Sequence, residues 1–381
     1  MLSRVADSLY WMNRQIERAE NVARAVETTL DLVLDGTISH GRLWNALVCT
    51  FGDQADFWAR HGLADQDHVI TFLAFDPGNP NSIASCLQAA RENARTVRDM
   101  ISAPMWEEVN KAHLFVRSAA GRADLHNPRD FLDEVKRASQ LITGVSDATM
   151  SHGEAWHFAR LGRLVERADK TSRVLDVEHY FQPAASAFAP PAGSGFQPAA
   201  SAFAPPAGSG FQPVASAFAP PAGNGYQPAA AGVGMPAAGL VSPGVDAVQW
   251  SAVLDSASAL EMYRRQYGVV SRRHVAEFLI FDRFFPRAIH FCLLRAEESL
   301  LAVTGGAKGV FTNQAEQRLG RLRSKLDYGD IDEILGGAGG LHGFIDGFQS
   351  RLNRASDAIH DTFFALRPVG KPAEAAERVS A

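Results

Sequence analysis

The first segment of the chain carries apolar side chains at alternating spacings of three and four. This spacing is typical of a helix that packs along one face against another helix. The apolar positions are Leu2, Val5, Leu9, Met12, Ile16, Ala19, Ala23, Val26, Leu30 and Val33. The small side chains of Ala19 and Ala23 would let a partner helix approach closely, and Gly36 provides a stop. The sequence therefore predicts a long first helix that ends at Gly36.

Much of the rest of the chain is also predicted to be helical. Further helices are predicted over 41–60, 82–102, 128–150, 153–178, 245–266, 286–303 and 341–366. Sustained alternation of period two between turn residues is absent, so no strand is predicted. The predicted fold class is an all-α helical bundle.

One segment has a composition that does not suit a packed core. Residues 181–195 read FQPAASAFAPPAGSG, 196–210 repeat them letter for letter, and 211–225 change two positions. Proline, alanine, glycine and serine in these proportions bury too little apolar surface to offset the entropy lost on ordering. The sequence predicts a disordered insert over 181–242. An interaction hub that works through the repeated phenylalanines is an alternative.

The two sides of this insert resemble each other. At an offset of 149, the residues Arg14, Glu17, Arg18 and Arg24 fall on Arg163, Glu166, Arg167 and Arg173. At an offset of 206, "FLAFD" at 72–76 falls on "FLIFD" at 278–282, and Cys86 falls on Cys292. We infer a duplicated unit. The predicted organisation is a first helical unit at 1–150 and a second at 151–370, related by a pseudo-twofold axis, then a polar tail at 371–381.

Composition excludes several classes of protein. The 381 residues have a formal net charge of −5 with acidic and basic residues interspersed, so no basic stripe suggests a nucleic acid partner. No continuous apolar run is long enough to span a membrane. The three cysteines, Cys49, Cys86 and Cys292, are scattered and suggest reduced thiols. The N-terminus lacks the apolar region of a signal peptide, so we expect a cytoplasmic protein.

Beside the apolar seam, each unit carries a stripe of charged residues. Glu17, Glu20 and Arg24 share one face of the first helix, and Glu166, Asp169 and Arg173 repeat them. Four arginines lie just around the same helices: Arg14, Arg18, Arg163 and Arg167. A pseudo-twofold axis would bring the two stripes together.

Three interpretations of this cluster are open. It could be a structural network, since Glu20–Arg24 and Asp169–Arg173 have the favourable i,i+4 orientation. It could bind a carboxylate or phosphate through its arginines. It could hold two metal ions, although such sites add Glu-x-x-His pairs that the stripes lack. No metal and no cofactor is therefore predicted.

The charged blocks also resemble a known family. The stretches "MLSRVADSLYWMNRQIERAENVAR", "WHFARLGRLVERAD", "FLIFDRFFPRAIHFCL" and "LHGFIDGFQSRLNRASDAIHDTFF" are similar to the bacterial Alpha-E domain family, named for a recurring Glu-Arg motif. Its members occur beside ATP-grasp ligase-like and transglutaminase-like proteins. The resemblance implies a non-catalytic, accessory helical protein of an amide- or peptide-forming system. That protein would bind a partner or an acidic ligand at the Glu/Arg cluster. The alternative is an enzyme with Glu17 and Glu166 as acid/base or metal-binding residues.

Overall fold

The fold is described by a computed structural model that covers 1–36, 38–51, 54–120, 128–176 and 243–365, with side chains in the last range from 247. Every regular element in these ranges is helical, which confirms the predicted all-α class. The predicted insert at 181–242 and the predicted tail at 371–381 lie outside the described residues. No helix in the described ranges is both long and apolar enough to cross a membrane.

In the part of the chain that the structure describes, seven helices precede the loop at residue 150. They are α1 (Ser3–Asp35), α2 (His40–Phe51), α3 (Gln54–His61), α4 (Gln66–Ile70), α5 (Ile83–Thr96), α6 (Ala103–Ala120) and α7 (Pro128–Thr149). A π-helical turn over Thr71–Phe75 continues α4. The side chains of Asp65 and Ser82 cap the N-termini of α4 and α5 by accepting a backbone N–H bond.

Eight helices follow the same loop in the described residues. They are α8 (Glu154–Leu175), α9 (Pro243–Ser256), α10 (Leu260–Gln266), α11 (Arg272–Phe281), α12 (Ile289–Thr304), α13 (Gln314–Asp327), α14 (Ile331–Gly336) and α15 (Gly340–Ile359). A π-helical turn over His360–Phe364 continues α15.

Helix α1 is the central element of the bundle. It packs against α8, α5 and α7, and α12 also packs against α8. Seven of its predicted seam residues are buried: Leu9, Met12, Ile16, Ala19, Ala23, Val26 and Leu30. The helix ends where Gly36 adopts the left-handed conformation, with φ of 69°, as its position predicts. Leu2, at the start of the predicted seam, is exposed, whereas Val5 and Val33 are partly buried and pack against the core.

Helices α1 and α8 run in the same direction. Met1 bonds Glu154 at 153 positions along the chain and Arg14 bonds Glu166 at 152, and an offset that stays nearly constant over this length of helix requires parallel axes. The two helices approach closely at Gly162, where an added Cβ would lie 2.2 Å from the backbone oxygen of Tyr10. The charged stripes of both helices therefore face each other at the centre of the bundle.

Several predicted helices end elsewhere or divide. The predicted 41–60 divides into α2 and α3, and 245–266 divides into α9 and α10 at Ser258, whose φ is 47°. The predicted 82–102 ends at Thr96. The sequence analysis gave no range for α4, α6, α11, α13 and α14. Helices α4, α11 and α14 are short, so each presents at most three turns of pattern.

Candidate functional site

The two Glu-Arg pairs of α1 and α8 bind each other reciprocally. Arg18 donates from Nε to Oε1 of Glu166 at 2.7 Å and from Nη2 to Oε2 at 3.1 Å. Arg167 donates from Nε to Oε1 of Glu17 at 2.9 Å and from Nη2 to Oε2 at 2.7 Å. Each arginine therefore holds the carboxylate of the opposite helix side-on with two bonds, which is the strongest geometry for this pair of groups.

Each glutamate accepts further donors. Arg14 donates from Nε to Glu166 at 2.7 Å, and the Lys170 ammonium lies 3.5 Å from the same carboxylate. Arg287, just before α12, donates from Nη1 to Glu17 at 3.1 Å, and Asn21 donates to Glu17 at 2.9 Å. Both carboxylates are therefore saturated with donors.

The second acidic residue of each stripe extends the contacts. Glu20 accepts bonds from Arg24 at 2.6 Å and from Ser139 of α7 at 2.6 Å, and it also accepts one from Arg287. Asp169 accepts bonds from Arg173 at 3.0 Å and from Lys170 at 3.1 Å. Both predicted i,i+4 pairs are thus present. We refer to these side chains as the Glu/Arg network: Glu17, Glu20, Glu166, Asp169, Arg14, Arg18, Arg24, Arg167, Lys170, Arg173 and Arg287.

Arg163 is the one predicted site residue that the network does not include. Its Nε is buried and has no hydrogen-bond partner among the described residues. Burial first, and then the positive charge of Arg167, lower the pKa of Arg163 to about 10. The structure therefore brings the other nine predicted site residues together and leaves this one beside them.

Burial and charge together fix the protonation of the two glutamates. Glu17 is 1% exposed and Glu166 is fully buried. Burial alone would raise the pKa of Glu17, but Arg167 and Arg287 outweigh it and lower the pKa to about 2. Burial opposes ionisation of Glu166 too, and Arg14, Lys170 and Arg18 hold its pKa well below 4.5. Both groups are carboxylates at neutral pH.

These depressed pKa values predict how stability depends on pH. A carboxyl group with a lower pKa in the folded state stabilises the fold above its unfolded pKa, and this contribution is lost as pH falls through the folded pKa. We expect the free-energy difference between the wild type and Glu17→Gln to be constant from neutral pH down to 4.5. It should then shrink as the pH falls toward 2. Urea unfolding at a series of pH values measures it, and a difference that grows in acid would contradict the assignment.

The sequence analysis missed four polar residues of this region. Asn21 and Lys170 stand four positions after Glu17 and Glu166 on their own helices, so the helical period could have found them. Asn81, which accepts from Arg18 at 2.6 Å, and Arg287 lie in the loops before α5 and α12. No helical pattern marks these two, although the offset of 206 pairs them with each other.

Metal binding and thiol chemistry find little support in the geometry. Within the described residues, no three His, Cys, Asp or Glu side chains converge in a way that could hold a metal ion. Cys86 and Cys292 are fully buried, and burial raises the pKa of each thiol to about 12. A thiol with so high a pKa is a poor nucleophile at neutral pH.

Comparison with known proteins decides the family. A family profile described as a predicted alpha-helical domain with a conserved ER motif matches residues 1–193 and 227–364. The chain belongs to the Alpha-E family. The reciprocal Glu-Arg contacts described above show what two Glu-Arg pairs do in one Alpha-E fold: each pair neutralises the other across the interface between α1 and α8.

Other comparisons give relatives without an assigned activity. Two uncharacterized proteins, one from Mycobacterium bovis and one from Mycobacterium tuberculosis, are each 23% identical to this Alpha-E chain over 186 residues. The match takes in 43% of this chain and 21% of each relative, so it spans about a fifth of their length. No solved structure matches the chain.

Proposed function

We propose that this Alpha-E protein is a non-catalytic helical protein that assists an amide- or peptide-forming system. The observation that supports the non-catalytic role is the saturation of Glu17 and Glu166 by arginine donors. A general acid or base needs a pKa near the working pH and access to the reacting proton. Both glutamates are buried and their pKa values are far below neutrality, so acid/base catalysis by them is disfavoured.

The accessory role rests on the family and on the length of the relatives. The family resemblance implies a place beside ATP-grasp ligase-like and transglutaminase-like proteins, and we propose such a protein as the partner here. In the two mycobacterial proteins the matched region occupies only about a fifth of the chain. A helical region that forms only part of much longer proteins supports a role in which it acts together with other domains.

We also infer that the chain arose by duplication of a unit at 1–150 into one at 151–370. The reciprocal bonds of Arg18 and Arg167 support this, because the offset of 149 exchanges them. The Sγ atoms of Cys86 and Cys292 likewise donate to the backbone oxygens of Pro80 and Pro286, six residues earlier in each case.

The supply of positive charge differs between the proposed halves, although both carboxylates are neutralised. At the position that follows the second acidic residue, α1 has Asn21 and α8 has Lys170. In the preceding loops, the first half has Asn81 and the second has Arg287. Each of Glu17 and Glu166 therefore gains one additional cation, from a different element. This arrangement supports divergence of two copies that kept the same electrostatic requirement.

Ligand or partner binding is proposed at the solvent edge of the Glu/Arg network. Arg14, Arg18 and Arg167 keep 12%, 15% and 14% of their side chains exposed. The cations of the network also outnumber its carboxylates, so the region attracts anions. An acidic surface of a partner, or an acidic ligand, would fit this edge.

Association with a purified ATP-grasp-type protein from the same genome tests the proposed function. We expect the full Alpha-E chain to co-elute with it in size-exclusion chromatography and to change its rate of ATP hydrolysis in the presence of an amine and a carboxylic acid. The matched control is the ATP-grasp-type protein with an unrelated helical protein of similar size. Independent elution together with an unchanged ATPase rate would contradict the accessory role.

A further inference from the structure

Two arginines at matching positions of α1 and α8 have different surroundings. Arg14 lies four residues before Arg18 and donates from Nε to Glu166 at 2.7 Å. Arg163 lies four residues before Arg167, so the equivalent acceptor would be Glu17. The Oε1 atom of Glu17, however, already accepts bonds from Arg167, Arg287 and Asn21. Arg287 has in effect replaced Arg163, which leaves one guanidinium without a carboxylate.

The unpaired edge of Arg163 is the edge that binds carboxylates elsewhere in this molecule. Arg18 and Arg167 each use Nε together with Nη2 to hold both oxygens of a glutamate. The Nε of Arg163 is buried and has no acceptor among the described residues, while the residue as a whole is half-buried. A donor that is removed from water without a partner is costly, and a bound carboxylate would remove that cost.

The surroundings of Arg163 add positive charge. Arg160, one turn earlier on α8, lies 5.1 Å above the ring of Trp156 and 3.4 Å from Ser299 Oγ. The nearby Glu298 is held by Arg295 at 2.9 Å and lies 3.9 Å from Arg160. The exposed Asp147 accepts from the indole of Trp156 at 3.1 Å and is the carboxylate that most favours the charged form of Arg163. The guanidiniums of Arg160 and Arg163 thus face two carboxylates, Glu298 and Asp147, and each of these already has another partner.

We propose that Arg163, supported by Arg160, is a binding site for the carboxylate of an acidic ligand, held by the guanidinium of the half-buried Arg163 side chain. The negative charge of the exposed Asp147 favours the charged form of the same guanidinium and competes with the ligand for it. The carboxylate belongs either to a small free acid or to an acidic residue of a peptide. This inference deepens the ligand-binding part of the proposed function and rests on it for biological role, whereas binding itself can be measured on the isolated protein.

Calorimetric titration of the full chain with glutarate, with a triglutamate peptide and with inorganic phosphate tests the site. We expect a carboxylate probe to bind and Arg163→Met to weaken it about tenfold or more, because a charge-assisted bidentate pair is lost. Arg163→Lys should lose a similar factor, since lysine keeps the charge without the fork. Asp147→Asn should tighten binding by removing the competitor. Glutarate and the peptide distinguish a free acid from a peptide side chain as the source.

Arg321→Met is the matched control, since Arg321 is an exposed arginine of α13, and it should leave binding unchanged. Equal affinity of wild type and Arg163→Met, or binding of phosphate in preference to both carboxylate probes, would overturn the proposal. Circular dichroism melting of Arg163→Met and Arg163→Lys confirms that both are folded before titration. Failure of co-elution with an ATP-grasp-type protein would leave this result intact, so the two proposals fail separately.

Discussion

Replacing Glu166 with glutamine is expected to destabilise the protein by about 3–5 kcal/mol, the effect of removing one member of a buried ion pair. Glu166 is fully buried and is the shared acceptor of Arg14, Arg18 and Lys170. Glutamine has the same shape but no charge, so three cations lose their counter-ion. Urea unfolding at neutral pH measures the change, and the melting temperature should fall with it.

Two controls separate this effect from a general loss of charge. Glu261→Gln changes an exposed glutamate of α10 and should alter the free energy of unfolding by less than about 0.5 kcal/mol. In a double-mutant cycle, Glu166→Gln combined with Arg18→Met should be less destabilising than the sum of the single changes, because each removes the partner of the other. If Glu166→Gln were as stable as the wild type but lost partner binding, the structural interpretation of the network would be wrong.

The central pairing of this fold could be predicted from the sequence. The apolar period gave α1 and its end at Gly36, and the repeated Glu-Arg pairs predicted that two charged stripes meet. Both inferences depend on residues within one helix, where a period of 3.6 residues determines which side chains share a face. The structure places these stripes opposite each other, with Arg18 on Glu166 and Arg167 on Glu17.

The choice between an open site and a saturated network depended on residues that no helical period connects. Arg287 reaches Glu17 across 270 residues of sequence, and Ser139 reaches Glu20 across 119. These two donors saturate the carboxylates and exclude Arg163. Arg14 and Arg163 are equivalent by the sequence offset of 149, and only the tertiary packing of the loop before α12 makes them different.

Several helix ends could not be predicted from the sequence for a related reason. Between α5 and α6 the chain leaves the helix at Val97, and both Val97 and Ile101 are buried in the core. An apolar pattern that continues through a break gives no sign of it. The division of α9 from α10 is similar, because Ala257 and Ala259 on either side of Ser258 are buried and no glycine or proline marks the turn.

Replacing Gly162 with alanine is expected to have the second large effect. A Cβ at this position would lie 2.2 Å from the carbonyl oxygen of Tyr10 and 2.9 Å from its carbonyl carbon. These are backbone atoms of α1, so no side-chain rotation can relieve the overlap and the two helices must separate. Overpacking of this kind costs about 1–3 kcal/mol or more. We expect a loss in that range in urea unfolding, because separation also lengthens the bonds between Arg18 and Glu166.

Gly144 provides the matched control for this substitution. It lies in α7, is exposed, and has no atom within 4 Å of an added Cβ. Alanine at an open helical position should stabilise the protein by about 0.5–1 kcal/mol, because the unfolded chain loses freedom. The same chemical change should therefore have opposite signs at the two glycines. If Gly162→Ala were as well tolerated as Gly144→Ala, the close parallel approach of α1 and α8 would be wrong. The reciprocal binding of their Glu-Arg pairs would then need another arrangement.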